Sequence, residues 1–301
     1  MKTTISFLLF FSSIFYSNAQ SLSAQQDDKN QLYGFIDENN KYVIKPIYKD
    51  VDFDFNFKNA APGLYYVQNK AGKFGFVNEK GTEVIKCTYD NATSFRHGYS
   101  VIEIKKDEYH SYSGLIDSTG KITIQPQYTV LQVFDNNMIT AAKELDSKQG
   151  VMDATGKIIV PFDYEWLTQI YKGLIVAKKD GKSGIIDLSN NVVVPFTYDD
   201  IQNFNDNNLA AAEKDGKWGF IDLKGKEIIS CTYEDAHDIN FGKASAVKKN
   251  GKWGVVDSNN KVLLPFDYYS IETWQGNVVS VKKTENEDSY QIDFTTKQKV
   301  K

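Results

Sequence analysis

Residues suited to acid, base or nucleophilic chemistry are few in this 301-residue chain. Nucleophilic catalysis requires a nucleophile, a base and a group that orients the base. The three histidines are His97, His110 and His237, and none of them lies in a recognisable nucleophile motif. We expect His237 to be a polar residue at the edge of a sheet. The sequence therefore assigns no catalytic residue and predicts a protein that is not an enzyme.

Carboxylates are abundant, but they recur at one position of a repeat, as Asp187, Asp222 and Asp257 do. A glycosidase needs one distinct acid and one distinct base or nucleophile, whereas a repeated aspartate is explained by turn support. No cluster of histidine and cysteine has zinc spacing. The segments DLKGK and DSNNK are too short for a helix–loop–helix calcium site, and no glycine-rich phosphate loop is present. We expect neither a metal nor a cofactor.

The elements that position these residues are copies of one unit. The segment GKWGFIDLKGKEIISCTYEDA (216–236) is rewritten as GKWGVVDSNNKVLLPFDYYSI (251–271), and its glycine recurs in steps of 41, 39, 36, 34, 35 and 35 residues. This anchor glycine is found at Gly34, Gly75, Gly114, Gly150, Gly184, Gly219 and Gly254. A tyrosine follows each by 14 residues, at Tyr48, Tyr89, Tyr128, Tyr164, Tyr198, Tyr233 and Tyr268. A fixed period of this size indicates a repeat architecture.

Other columns of the repeat predict its local structure. Aspartate or asparagine stands three residues after each anchor glycine, and glycine or asparagine stands six after it. Glycine and asparagine tolerate a left-handed backbone, and the carboxylate can accept N–H groups of the same turn. We therefore predict a hairpin between a strand such as KWGFID and a strand such as KEII or VVVPF. The proline of five units ends the second strand or marks a sheet edge. A third strand precedes each anchor, and a short fourth strand follows the tyrosine.

These columns carry a resemblance to a known family. The unit resembles the bacterial WG repeat, in which a Trp-Gly pair opens a β-rich motif with an acidic residue, a turn glycine, a proline and a tyrosine. The resemblance covers residues 31–301, although the tryptophan itself remains only as Trp218 and Trp253. Because the family is largely uncharacterised, the resemblance implies a β-repeat fold and little about activity.

The architecture predicted from these units is all-β, with seven units of about 35–40 residues and a partial eighth at 289–300. One such unit cannot bury enough surface alone, so its neighbours must complete its core. The second strands are apolar without alternation, which favours coverage on both faces. A propeller-like stack meets this demand, and an open β-solenoid is the alternative.

The two cysteines, Cys87 and Cys231, each lie 12 residues after an anchor glycine. They are four units apart, whereas a disulfide requires Cα atoms within about 7 Å. We expect two small, buried and unpaired thiols.

The N-terminus has the features of an export signal. A basic start, an apolar run over 5–16 and small residues before Gln20 predict a cleaved signal peptide at 1–19, because the run is too short to span a bilayer. No cysteine follows for lipid attachment, and no later stretch predicts a transmembrane segment. Residues 20–30 are polar, which favours a flexible leader before the repeat domain at 31–301. We expect a secreted or periplasmic protein.

Removal of Lys2 with the signal changes the formal charge of −4 to −5. This mild acidity, without a basic stripe, argues against a nucleic-acid partner.

Function is expected where units differ. The candidate partner-binding residues are Tyr109, His110 and Tyr112 of one insertion, with Trp166 and Trp274. The aromatic-rich loop 53–67 is a further departure. Exposed aromatic side chains can anchor a protein or stack on a glycan, although a tryptophan can equally pack in a core. The leading hypothesis is an exported, non-enzymatic scaffold that binds a protein or glycan. The alternatives are a glycan hydrolase with its site at the mouth of a ring, or a structural envelope or matrix component.

Overall fold

The computed structural model describes residues 22–52, 63–134, 137–144, 147–168, 170–237 and 244–300, with the backbone alone at 273–275. These residues form 31 β-strands in eight sheets and no α-helix. In every sheet, strands that are hydrogen-bonded neighbours also follow one another along the chain. The predicted signal peptide at 1–19 and most of loop 53–67 lie outside the described residues.

The strands are numbered in chain order, and the eight sheets are numbered in the same way. Sheets 1 to 4 contain β1 (Ser23–Gln26), β2 (Tyr33–Ile36) and β3 (Tyr42–Tyr48); β4 (Asp50–Val51), β5 (Leu64–Gln68), β6 (Phe74–Asn78) and β7 (Glu83–Tyr89); β8 (Asn91–Ala92), β9 (Tyr99–Lys105), β10 (Ser111–Asp117) and β11 (Ile122–Tyr128); and β12 (Val130–Val133), β13 (Met138–Ala142), β14 (Gln149–Asp153) and β15 (Ile158–Tyr164). Sheets 5 to 8 contain β16 (Trp166–Leu167), β17 (Leu174–Lys179), β18 (Lys182–Asp187) and β19 (Val192–Tyr198); β20 (Asp200–Ile201), β21 (Leu209–Lys214), β22 (Lys217–Asp222) and β23 (Glu227–Tyr233); β24 (Asp235–His237), β25 (Ala244–Lys249), β26 (Lys252–Asp257) and β27 (Val262–Tyr268); and β28 (Ser270–Gln275), β29 (Val278–Lys282), β30 (Tyr290–Asp293) and β31 (Gln298–Lys299).

Each sheet is offset from the sequence unit by one strand. The short strand after a column tyrosine pairs with the strand that precedes the next anchor glycine, as β16 pairs with β17. The partial unit at 289–300 therefore supplies β30 and β31, which complete the four strands of sheet 8. Four-stranded sheets of this order are the building blocks of propellers, and the predicted all-β, propeller-like repeat class is confirmed.

The chain divides into two compact units, one of residues up to 102 with 116–121 and one of 103–115 with 122–301. In the first unit, a core joins Leu22, Phe35, Ile44, Val67 and neighbouring side chains of sheets 1 and 2. In the second unit, successive cores join each sheet to the next, as in the cluster of β14 to β18. Repeat proteins bury their apolar surface between neighbours in this way rather than in one centre.

The predicted hairpin turns are confirmed. All seven glycine or asparagine positions of the turn have positive φ, at Asn40, Gly81, Gly120, Gly156, Asn190, Gly225 and Asn260. In the turn of sheet 6, one carboxylate oxygen of Asp222 accepts the backbone N–H groups of Lys224 at 2.9 Å and Lys226 at 3.0 Å. Asp293 also supports a turn, since its Oδ1 accepts the N–H groups of Thr295 at 2.7 Å and Thr296 at 2.9 Å, but here the residue with positive φ is Lys297, one position later than in the other units.

The anchor glycines are required by a bulge in the edge strand. Opposite Gly184, three residues of β19 lie between the partners of Ser183 and Ile185, so the edge strand bends over the glycine. A Cβ atom on Gly219 would lie 2.4 Å from the carbonyl oxygen of Ile229, and no side chain fits there. The column prolines lie within these bulged edge strands, which continue to the tyrosine. Of the two alternatives predicted for the proline, the edge position is the one observed, because the bulge needs no N–H from that residue and the strand continues past it.

Column tyrosines of the second compact unit join neighbouring sheets. Five of the seven are buried, and Tyr48 and Tyr89 are half-buried. Tyr164 stacks on Phe196 of the following unit at 6.0 Å between ring centroids, and its hydroxyl donates to Asn190 Oδ1 at 2.6 Å. Tyr128 stacks in the same way on Phe162, and Tyr233 on Phe266. The repeated columns therefore encode the packing between units.

Two sequence expectations are wrong: the flexibility of residues 20–30 and the burial of both faces of the second strands. The flexible leader 20–30 contains β1, which pairs with β2, because Leu22 is buried in the first core and compensates for the polar residues that follow. The second strands are not covered on both faces, since they are sheet edges with exposed positions. Ile158 and Val192, for example, are more than half exposed.

Candidate partner-binding surface

Tyr109 lies at the tip of the hairpin between β9 and β10, with 84% of its surface exposed. Asp107 organises this tip. Its Oδ1 accepts the backbone N–H groups of Tyr109 and His110, each at 2.9 Å, and lies 2.7 Å from His110 Nδ1. These bonds, the Tyr109 amide foremost and then the His110 side chain, lower the pKa of the Asp107 carboxyl. The ring of Tyr109 is thus presented to solvent from an ordered turn.

Tyr112 lies on β10 beside the same tip and is half-buried. The Lys106 ammonium stands 5.7 Å from the centre of its ring, within the range of a cation–π contact. The predicted trio is therefore brought together on one hairpin, but the residues have unequal roles. His110 belongs to the turn network and Tyr112 to its base, which leaves Tyr109 as the exposed anchor.

Trp166 is the second exposed aromatic candidate, with 41% of its surface accessible, so it is not a core tryptophan. Four sister units carry aspartate or asparagine at this position, at Asp50, Asn91, Asp200 and Asp235, and each side chain accepts the next backbone N–H. Tryptophan cannot accept that bond. In this unit Gln149 supplies the missing acceptor, because its Oε1 accepts the N–H of Leu167 at 3.0 Å.

This exchange is a signal that sequence reasoning missed. Gln149 lies at the repeat position that is tryptophan in two other units, Trp218 and Trp253. This unit therefore departs from the repeat at both Gln149 and Trp166, and the first change supplies the acceptor that the second removes. The local backbone remains satisfied while a large aromatic side chain is exposed. Comparing sister residues by hydrogen-bond role, rather than by size, could have found the pair.

Trp274 lies on β28, where its backbone pairs with Val279, and its side chain lies outside the described part of the structure. His237 stacks on Trp253 with ring centroids 4.3 Å apart, at the end of β24, as expected for a polar edge residue.

The remaining chemistry-bearing residues have structural positions. The repeated aspartates lie in turns, and hydrogen bonds there lower the pKa of Asp117, Asp153 and Asp187. Within the described ranges, no group of three or more histidine, cysteine or acidic residues could hold a metal ion. Cys87 and Cys231 are unpaired, as predicted, but half-buried rather than buried. Burial raises the pKa of each thiol to about 11.

Comparison with protein families gives one match that covers most of the chain. The model of the WG containing repeat matches seven consecutive segments, at 33–69, 74–108, 114–144, 150–182, 184–218, 218–253 and 253–286. These segments agree with the seven anchor glycines and their turns. No curated protein matches the chain.

Similar solved structures have low sequence identity to this chain. A crystal structure of a eukaryotic initiation factor is 12% identical with a TM-score of 0.50, over 95% of this chain and 84% of that chain. Apo AztD from Citrobacter koseri is 12% identical with a TM-score of 0.40, over 93% of each chain. Hsv2 from Kluyvelomyces marxianus is 12% identical with a TM-score of 0.38, over 78% of this chain and 88% of that chain. The first likeness supports the fold alone. None of the segments described here forms a helix with the length and apolarity needed to cross a bilayer.

Proposed function

This chain belongs to the WG containing repeat family, and on that premise we propose that it is an exported, non-enzymatic scaffold that binds a macromolecular partner. The partner is a protein or a glycan, and the contact is made by residues that interrupt the repeat. The observation that carries this proposal is the exposure of Tyr109 and Trp166 on ordered backbone. Rigid, exposed aromatic side chains are typical anchors of binding surfaces.

The non-enzymatic role is supported by the use of the acidic column. Its carboxylates accept backbone N–H groups in turn after turn, so they serve the hairpins rather than one catalytic pair. Export is supported by residues 1–19 of the sequence alone, which have the charged start, short apolar run and small residues of a signal peptide.

Strand addition is disfavoured as the mode of binding. The second strands form one edge of each sheet, and they carry bulges and, in five units, proline, while four sheets have a strand of only two residues at the other edge. These features obstruct pairing with another strand. Contact through side chains is therefore the mode that we propose.

The test uses the mature chain immobilised through its C-terminus and challenged with envelope and extracellular extracts. Trp166→Asp restores the sister residue, and Tyr109→Ser removes the exposed ring. We expect a partner that the wild type retains to be lost from one or both variants. Val192→Thr, which alters an exposed edge residue elsewhere, is the control and should retain it. Capture that is equal for all four proteins would refute the proposed surface.

A further inference from the structure

A groove in the second compact unit offers a different kind of site. Its volume is about 810 Å³, and it is lined by residues of sheets 6, 7 and 8. Sites for small molecules have volumes of about 300–1,000 Å³. Four turns of the described part of the chain contribute to it: the turns between β20 and β21, between β26 and β27, between β28 and β29, and between β30 and β31.

The rim of the groove carries polar side chains that are available for hydrogen bonds to a ligand. The side chains of Asn207, Ser258, Asn259 and Asn277 line it. None of these four makes a side-chain hydrogen bond to another described residue, and Asn207, Asn259 and Asn277 are exposed. Their amides and hydroxyl offer both donors and acceptors.

The backbone that carries this rim is already satisfied. The N–H of Asn207 donates to Asn205 Oδ1 at 2.9 Å, and the N–H of Asn259 donates to Asp257 Oδ1 at 2.9 Å. Asp257 Oδ1 also accepts the N–H of Lys261 at 2.8 Å. The turns are thus held in place by their own hydrogen bonds, so a ligand would meet an organised set of polar groups.

Apart from Asp257 and Thr295, the other described lining residues are apolar. Leu209 and Phe294 are buried, Leu263 is half-buried and Ile228 is exposed at the groove. An apolar surface beside a rim of amides suits a ligand that has C–H faces as well as hydroxyl groups.

The charge of the described lining residues disfavours anionic ligands. Among these residues there is no lysine, arginine or histidine, and the one charged side chain is the carboxylate of Asp257. An anion would meet repulsion there without a compensating cation. A neutral ligand with many hydroxyl groups fits both the amide rim and the apolar lining.

We propose that this groove binds a neutral oligosaccharide of a few sugar units. The site shares no residue with Tyr109 or Trp166, so it goes beyond the partner surface proposed above and can fail separately from it. A peptide could also meet amides and apolar residues, but the three exposed asparagine amides of the rim favour a carbohydrate.

The experiment titrates the mature chain with maltotriose, cellotriose and N-acetylchitotriose, using saturation-transfer NMR and calorimetry. Trigalacturonate is the anionic comparison, and a library of short neutral peptides is the protein comparison. We expect at least one neutral trisaccharide to bind and trigalacturonate not to bind.

The variants place that binding in the groove. Asn259→Ala with Asn277→Ala should weaken binding at least tenfold, and Ser258→Trp, which fills the groove, should abolish it. Asn39→Ala is the matched control, because Asn39 has the same turn position in the first sheet, where its N–H donates to Asp37 Oδ1 at 2.9 Å. That control, Tyr109→Ser and Trp166→Asp should bind as the wild type does.

Four results would overturn the inference: no binding of any neutral trisaccharide, binding of the anionic sugar alone, binding of peptides alone, or affinities within twofold of wild type in both groove variants. Circular dichroism of each variant separates loss of the site from loss of the fold.

Discussion

The hydrogen bond between Tyr164 and Asn190 tests whether the repeated columns hold neighbouring units together. Tyr164→Phe removes only the hydroxyl, which donates to Asn190 Oδ1 at 2.6 Å, and keeps the ring on Phe196. The net worth of such a bond is about 0.5–1.5 kcal/mol. A loss of about 1 kcal/mol lowers Tm by about 2–4 °C in a chain of this size.

Tyr128→Phe is the matched control from the same column. The Tyr128 hydroxyl lies 3.3 Å from Met152 Sδ, which is a weak acceptor, so its removal should lower Tm by less than half as much. Asn190→Gly supplies the other side of a double-mutant cycle, because glycine occupies this turn in sister units and tolerates its positive φ of 63°.

The assay is thermal unfolding of the four proteins of the cycle, with urea unfolding at 25 °C for the free energies. We expect a coupling free energy of about 0.5–1.5 kcal/mol between the two positions. Equal effects of Tyr164→Phe and Tyr128→Phe, together with a coupling near zero, would refute the role of this bond between units.

Three further predictions concern the same frame. Gly219→Ala should destabilise by about 1–3 kcal/mol or more, because its Cβ would lie 2.4 Å from a backbone oxygen. Gly150→Ala should cost less, because the nearest backbone atom there, the carbonyl oxygen of Val160, lies 2.9 Å away; urea unfolding that reverses this order would contradict the bulge. After unfolding, Cys87 and Cys231 should titrate as two thiols per chain. In the native protein at pH 8, their pKa values of about 11 should make them react about 100-fold more slowly than an ordinary thiol. Native thiols that react at the ordinary rate would contradict their burial. Burial raises the pKa of the column tyrosines, so the folded state keeps their phenolic protons to a higher pH than the unfolded state does. Their contribution to stability is complete below the unfolded pKa of about 10 and should be lost as the pH rises through the folded pKa. Tm measured from pH 8 to 12 should therefore decline less steeply in Tyr164→Phe, and a Tm that stays flat to pH 12 would contradict this linkage.

The turns and the repeat were predictable from sequence because they depend on local chemistry. Asp222 and Gly225 fix one hairpin through a carboxylate bond and a left-handed backbone, and both residue types recur at fixed spacing. The same spacing predicted a turn at Asp293, which the structure contains.

Coverage was harder to predict because it depends on which strand lies at a sheet edge. The apolar run Val192–Val194 has the composition of a covered strand, yet Val192 is exposed because β19 is an edge. The reason for the anchor glycine was also hidden, since the bulge opposite Gly184 depends on the pairs Ile185–Val194 and Ser183–Tyr198, whose members are nine and fifteen residues apart. Trp218 and Trp253 share one column, but Trp218 is half-buried and Trp253 is buried.

The candidate surface was found only in part. The departures at Tyr109 and Trp166 were visible in the sequence, but their exposure was not, because a lone tryptophan can equally fill a core. The substitution of Gln149 for the missing side-chain acceptor required the hydrogen-bond geometry. The groove of sheets 6 to 8 gave no sequence signal, since its amides come from three turns far apart in the chain.

The most direct test of the account measures stability and partner capture together for two variants. We expect the double variant Tyr109→Ser with Trp166→Asp to melt within about 2 °C of wild type and to lose its partner, because these exposed side chains are not needed for packing. Tyr164→Ala, which removes a buried column ring, should cost about 3–5 kcal/mol and lower Tm strongly. A double variant that unfolds, or one that keeps both its Tm and its partner, would contradict the division between a repeated frame and an irregular binding surface.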